Sequence, residues 1–336
     1  MTVRSLCLEV PIAKGEDVRR TLLALDVLRK DLQIEPSGDR LFLPVSTAVS
    51  LDFPTLEREF RKGFRPVRQW QDLVRIPERL RSLLPTALDV IGTIAILRVA
   101  DELQDYESEI GEAIRRWNPK LRTVAVDEGV GGEYRLRELH VAAGDASLET
   151  IHVEYGLRYA VDVSKVYFSP RLGTERMRVA QQVRPGEIVA DLFAGAGPYA
   201  ILVARRASPR MVHAADSNEI AVHYLRLNIR LNRADRVQPH LADAKSILNR
   251  FAPFDRIIMD LPHTAHEFLV DAFRATRPGG TIHYYAILSV TEAQDRREEI
   301  EAMAGDAKRR VEVQATREVR GFSPAKKHWA YDLRVT

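Results

Sequence analysis

The spacing of hydrophobic positions changes twice along the chain. Residues 4–10 predict a short strand ended by Pro11. Lys14-Gly15-Glu16-Asp17 then opens a predicted helix with Leu22, Leu23, Leu25 and Leu28 at helical spacing, and 40–45 (RLFLPV) predicts a second strand. This small αβ unit spans roughly 1–50. Residues 51–84 are polar and carry Arg61, Lys62, Arg65, Arg68, Arg75, Arg79 and Arg81, which fits a solvated helical connector or part of a phosphate-facing surface. From Ala87 the texture becomes α+β. The run 88–99 (LDVIGTIAILRV) reads as a buried strand, 102–117 as a helix, and 121–129, 134–144 and 149–163 as further strands.

From about 166 strands and helices alternate strictly. Strands are predicted at 186–193, 211–216, 237–243, 256–262 and 279–288, with helices between them, including YAILVARRA and SNEIAVHYLRLNIRLN. That order predicts an α/β fold, a doubly wound parallel sheet with ligands at its strand C-termini.

Composition narrows the partners. Fifty Lys plus Arg against 47 Asp plus Glu leave +3, so affinity for nucleic acid must come from a local patch rather than bulk charge. One cysteine, Cys7, excludes an internal disulfide and Cys-rich zinc sites, and fits a reducing, cytoplasmic setting. No apolar run approaches the ~18 residues of a spanning helix, so no membrane association is expected, and the N-terminus does not read as a signal peptide. His263 and His266 lie three apart beside Glu267 without a third ligand at sensible spacing, so no metal is expected.

The sharpest local signal is Asp191-Leu-Phe-Ala-Gly195-Ala-Gly197-Pro198, where a strand passes into a helix. Its spacing is G-x-G-P, not the dinucleotide fingerprint G-x-G-x-x-G. The next strands end at Asp216, placed to accept ribose hydroxyls, at Asp243-Ala244, suited to an adenine amine, and at Asp260-Leu261-Pro262. Acidic groups at four successive strand ends repel a pyrophosphate but suit a cationic sulfonium, which points to S-adenosylmethionine (AdoMet).

Taken together, Lys165-Val-Tyr167-Phe168-Ser169-Pro170-Arg171-Leu172 with Glu175-Arg176, the Asp191–Pro198 turn, Met259-Asp260-Leu261-Pro262 and Gly132-Glu133-Tyr134-Arg135 make the chain resemble the archaeal and eukaryotic tRNA (guanine-37-N1)-methyltransferase family, a branch of the class I methyltransferases. The resemblance spans almost the whole chain. It implies a Rossmann-like catalytic domain at 166–336, a middle tRNA-binding domain at 51–165, and a first domain at 1–50 that grips the tRNA elbow. It also implies a monomer that engages the anticodon arm through the middle and catalytic domains, with salt-dependent affinity. The family commonly has Asn where Asp260 stands and an acidic residue where Thr93 stands.

By the same resemblance, Glu175 is the general base for N1 of guanine and Arg135 stabilises the charge on O6. Tyr167 lies near donor and base, and Asp260 and Pro262 shape the slot between them. The cofactor set comprises Arg176, Tyr167, Asp191, Phe193 and the turn residues Gly195, Gly197 and Pro198. It continues with Asp216, Ser217, Asp243, Ala244 and Asp260. Taken without the family, Glu175 is an ordinary first-turn helix residue, Arg135 an exposed strand arginine, Tyr167 a core aromatic and Arg176 a surface arginine. The basic and aromatic run 320–329 fits either RNA contact or a turn into the last strand. A related family transfers an aminocarboxypropyl group to the same nucleotide during wybutosine synthesis. It lacks the Pro-Arg-Leu found here at 170–172, which favours methyl transfer. Methylation of a tricyclic wybutosine intermediate and a non-catalytic tRNA-binding protein are the other readings.

Overall fold

The computed structural model describes residues 2–62, 69–132, 134 and 136–336. The chain forms two compact units, Met1–Asp72 and Leu73–Thr336. The first contains β1 (Thr2–Pro11), α1 (Gly15–Ala24), β2 (Glu35–Ser37), β3 (Arg40–Val45) and β4 (Thr55–Arg61). They make an antiparallel sheet in the order β2-β3-β1-β4. Alternation along β1 separates two buried surfaces. Leu8 and Val10 join Val18, Leu22 and Leu43, while Cys7 joins Phe42 and Phe60, and burial raises the Cys7 thiol pKa. Two expectations fail here. Helix α1 stops at Ala24, and Leu25 lies past its end, 54% exposed. The expected helical connector at 51–84 supplies strand β4 and two 3₁₀ turns, Trp70–Leu73 and Glu78–Leu83. An edge strand with only Phe60 buried carries little apolar signal. Arg65 and Arg68 lie outside the described residues.

The second unit opens with β5 (Asp89–Ile91), β6 (Ile94–Leu97), α2 (Glu107–Trp117), β7 (Thr123–Gly131) and β8 (Leu136–Gly144), a sheet in sequence order. The run 88–99, expected as one strand, is a hairpin that turns at Gly92, whose φ of +56° admits glycine at no steric cost. A second hairpin follows, β9 (Glu149–Glu154) with β10 (Leu157–Asp162). The amides of Gly92 and Thr93 donate to His152 Nδ1 and Thr150 Oγ1 at 3.2 and 2.9 Å, fastening one hairpin to the other.

The remaining elements are α3 (Gly173–Gln182), β11 (Ile188–Asp191), α4 (Pro198–Arg206), β12 (Met211–Asp216), α5 (Glu219–Asn232), β13 (Val237–Leu241), α6 (Ala244–Phe251), β14 (Phe254–Met259), α7 (Leu269–Ala275), β15 (Thr276–Leu288), α8 (Val290–Asp306), β16 (Val311–Gly321) and β17 (Lys327–Val335). The seven-stranded sheet runs β13-β12-β11-β14-β15-β17-β16. Its first five strands are parallel, as the strand–helix alternation predicts. The last two are antiparallel, and β16 was not among the predicted strands. The strand order reverses between β11 and β14, so the crevice opens beyond Asp191 and Met259.

The β9–β10 hairpin is joined to this layer through side chains acting as a surrogate strand. Asn228 Oδ1 accepts from the Ala160 amide at 2.7 Å, and its Nδ2 donates to the carbonyls of Ala160 and Ala196, both at 2.9 Å. One turn on, Asn232 repeats the pattern with Arg158. One apolar cluster runs from Ile91 and Ile96 through Tyr159 and Phe168 to Val189, Ile201 and Leu225. Asn228→Ala would leave a buried amide and two carbonyls without partners. We expect a loss of about 3 kcal/mol or more in urea unfolding, whereas truncating the exposed Arg226 on the same helix to Ala would cost well under ~1 kcal/mol.

Candidate active site

The crevice is framed by the turn between β11 and α4. Gly195 and Gly197 take φ of +54° and +88°, and a Cβ on Gly197 would meet Leu225 Cδ1 at 2.4 Å. Conformation thus favours glycine at both positions, and at Gly197 space does so as well. Its closing bond comes from the next strand: the Gly195 amide donates to Asp216 Oδ2 at 2.8 Å, and the Asn218 amide to Oδ1 at 2.9 Å. Asp191 is fully buried and accepts the Ala200 amide at 3.2 Å. Burial, with the charges of Asp260 and Asp216 added, pushes its carboxyl up to about 8. Burial raises Asp216 as well. These carboxyls cluster at the strand ends.

The structure brings the remaining expected cofactor residues to the same rim in different states. Asp243 does not end β13, which stops at Leu241. It caps α6, with the Ser246 amide and hydroxyl donating to it at 3.0 and 2.6 Å, and these bonds lower its pKa. Ala244 is buried at the first position of that helix, and Ser217 is exposed beside Asp216. Phe193 packs edge-on against Phe268 with centroids 5.4 Å apart, and Pro198 starts α4.

Glu175 lies in the first turn of α3 and is 6% exposed. Arg178 Nη2 and Nε donate to its two oxygens at 2.6 and 2.8 Å, and Tyr285 Oη donates to Oε1 at 2.7 Å. Tyr199 Oη in turn meets Tyr285 Oη at 3.2 Å. Because Tyr199 follows Pro198 directly, two hydroxyls connect Glu175 to the glycine turn. On its other side Arg178 holds Asp332, which also bonds His283 Nδ1 at 2.7 Å. Burial alone would raise Asp332, yet His283 and Arg178 hold it well below the usual carboxylate range. The sequence reading missed Arg178, Tyr199, Tyr285 and Asp332. A signal existed only in the spacing, since Arg178 stands one turn after Glu175.

Two residues depart from their simplest readings. Arg176 is not a surface arginine. It is 1% exposed, donates in a bidentate pair to Glu154 and to the Ser169 carbonyl, and lies over the Phe168 ring. Its guanidinium is engaged by the β9 strand end rather than by the glycine turn. Tyr167 is not a core aromatic. It is 47% exposed, its hydroxyl accepts from Arg320 at 3.3 Å, and its carbonyl faces Gly195. Asp260 and Pro262 follow β14, with the Pro262 carbonyl accepting the Ile287 amide at 3.0 Å. Arg135 and Glu133 lie outside the described residues. Tyr134 between them donates to the Ser217 carbonyl at 3.5 Å, beside Asp216. Phe322 of the basic run meets the His263 ring, with centroids 5.7 Å apart. Among the described residues no helix is long and apolar enough to cross a membrane.

A parallel sheet with a glycine turn at its switch point, acidic strand ends around it and an antiparallel pair at one edge defines an AdoMet-dependent methyltransferase of the Rossmann-like class. Family models match at residues 150–314 (TRM5/TYW2 methyltransferase domain), 72–147 (TYW2 N-terminal domain) and 7–50 (tRNA methyltransferase 5 N-terminal domain). The chain belongs to the TRM5/TYW2 methyltransferase family.

Among its relatives, the tRNA (guanine(37)-N(1))-methyltransferase Trm5b of Pyrococcus abyssi is 41% identical over 334 residues, 99% of each chain. The crystal structure of that Trm5b matches with a TM-score of 0.78 at 40% identity over 99% of each chain. A solved complex of aTrm5 with tRNALeu matches at 0.71, with 31% identity over 98% of this chain and 100% of that one. Methanocaldococcus jannaschii TYW2 in complex with AdoMet matches at 0.57, with 26% identity over 74% of this chain and 99% of that one.

The residues present fit such a donor: the glycine turn leaves a cradle without side chains, and the pocket beside it is acidic. With its carboxyl raised to about 8, Asp191 is largely protonated at neutral pH. A bound sulfonium favours the charged form, so binding expels a proton. We therefore expect AdoMet affinity to climb as pH rises to about 8 and to level off above it. The slope below approaches about tenfold per pH unit, one proton's worth. Calorimetry in buffers of different ionisation enthalpy measures this directly, and absence of proton release would refute it.

Proposed function

We propose that this protein methylates N1 of guanosine at position 37 of tRNA. The observation that carries the reading is the buried Glu175, tied to the glycine turn through Tyr285 and Tyr199. AdoMet supplies an electrophilic methyl group, so the protein's own task is alignment and the handling of one proton. Asp191, Gly195, Gly197 and Pro198 form the floor of the donor site, with Phe193 at its side. Asp216 and Ser217 serve the ribose, and Asp243 and Ala244 the adenine.

N1 of guanine holds a proton that must leave as the methyl arrives. Glu175 takes it. Three of the carboxylate's four acceptor directions are filled by Arg178 and Tyr285, so one is left for the base, and the ring of donors fixes the rotamer. Arg135 balances charge growing on O6. Tyr167, half exposed beside Gly195, lines the slot with Asp260 and Pro262. Arg176 acts at one remove: by clamping Glu154 and Ser169 it fixes the segment carrying Tyr167 and the start of α3. The target nucleotide leaves its stack to reach the slot.

The three parts of the chain divide the work as the resemblance implies. The catalytic part and the middle part hold the anticodon arm, the first unit takes the elbow, and a monomer suffices. Matches across 99% of both chains with Trm5b, including the first domain, favour this reading over the wybutosine branch.

The test is an incubation of the protein with labelled AdoMet and a guanosine-37 transcript beside an adenosine-37 control, followed by mass spectrometry of the nucleosides. Only the guanosine transcript should gain one methyl, at N1. An aminocarboxypropyl mass increment or no transfer would overturn the reading. Glu175→Gln should lower the single-turnover rate by about 10²–10⁴-fold while AdoMet affinity stays close to that of the wild type. Arg135→Ala should lower the rate by about 10²-fold or more.

A further inference from the structure

One buried imidazole at the site has no task in the scheme above. His328 stands in β17, opposite Ile287 of β15 and Arg320 of β16, and is 2% exposed. Neither Nδ1 nor Nε2 meets a hydrogen-bond partner among the described residues. A buried polar ring without partners weakens a fold, so its retention calls for a reason. Its surroundings supply one. Nε2 stands 3.6 Å from Oδ1 of Asp260, beyond a hydrogen bond but within a small side-chain rotation of one. The same ring packs against Tyr285, centroids 5.6 Å apart, and Tyr285 is the residue that donates to Glu175. His328 therefore borders Asp260 directly and is linked to Glu175 only through Tyr285.

A carboxylate offers only acceptors, so Asp260 beside the buried Asp191 needs a donor to hold its orientation. We propose that His328 is a positioning residue whose Nε2–H closes on Asp260 Oδ1 when the slot is filled, turning Oδ2 toward the ligand. The inference rests on the methyl-transfer reading and extends it. At 3.6 Å the pair stands apart, and on this proposal the ring's idle nitrogens are the cost of a contact made only with ligand bound.

The test separates packing from hydrogen bonding. His328→Leu fills the space without nitrogens, and His328→Gln returns one N–H donor. The Leu variant should melt no lower than the wild type and bind AdoMet within about twofold, yet transfer methyl about tenfold more slowly or worse in single turnover. The Gln variant should recover most of that loss. In an Asp260→Ala background, adding His328→Leu should change the rate by less than about twofold, because the two act as one unit. His328→Met gives the same comparison should the Leu variant fail to fold. A Leu or Met variant with the wild-type rate, a Gln variant that rescues nothing, or an equal loss in the Asp260→Ala background would each overturn the proposal. A wild-type protein that methylates no transcript would overturn the underlying activity, a result separable from any of these.

Discussion

The site depends on holding a carboxylate, Glu175, inside the protein in one orientation. A buried carboxylate is stable only if donors replace the water it has lost. Arg178 supplies two and Tyr285 one. Arg178 can do this because its remaining charge is met by Asp332, and Asp332 in turn holds His283, whose Nε2 faces Arg256 Nη1 at 2.7 Å. The chain of charges ends at Glu187, paired with Arg256. A network of this kind fixes geometry more than it adds stability: each member is satisfied by the next, and removal of one leaves a buried charge exposed to no partner.

The antiparallel strands at the sheet edge belong to the same logic. Tyr285 sits on β15, the last of the parallel strands, and Asp332 on β17, which pairs with it antiparallel, so the junction between the two patterns supplies both the hydroxyl and the carboxylate that anchor α3. The glycine turn and Asp216 complete the other half of the crevice. Here charge is arranged in the opposite sense. Asp191, Asp216 and Asp260 crowd together, and burial opposes ionisation of the first two, a state relieved by a positive ligand. On the proposed reading, one half of the slot holds the base and the other half attracts a cation.

The parallel half of the fold was legible in the sequence because its strands alternate with helices, and β11, β12 and β14 are short apolar runs ending at or just before an acidic residue. Asp191, Asp216 and Asp260 were found by that rule. Asp243 was singled out too, but its carboxylate caps a helix, a distinction that depends on Ser246 three residues further on. Strand β4 was hidden because its exposed face reads as a charged connector. The hairpin at Gly92 was hidden because both its strands are buried and no polar residue marks the turn except Thr93. Arg178 left only its spacing from Glu175, and Tyr285 and Asp332 left no local mark, since their contacts span 110 and 154 residues of sequence. The same is true of Arg176, which looks like any helix arginine until Glu154 is brought to it from β9.

The most direct measurement is a structure of the protein with tRNA and a non-reactive AdoMet analogue. The account predicts guanine N1 within about 3 Å of a Glu175 oxygen while Tyr285 still donates to that carboxylate. Guanine N1 facing a different proton acceptor, with Glu175 held entirely by Arg178 and Tyr285 and out of reach, would contradict it.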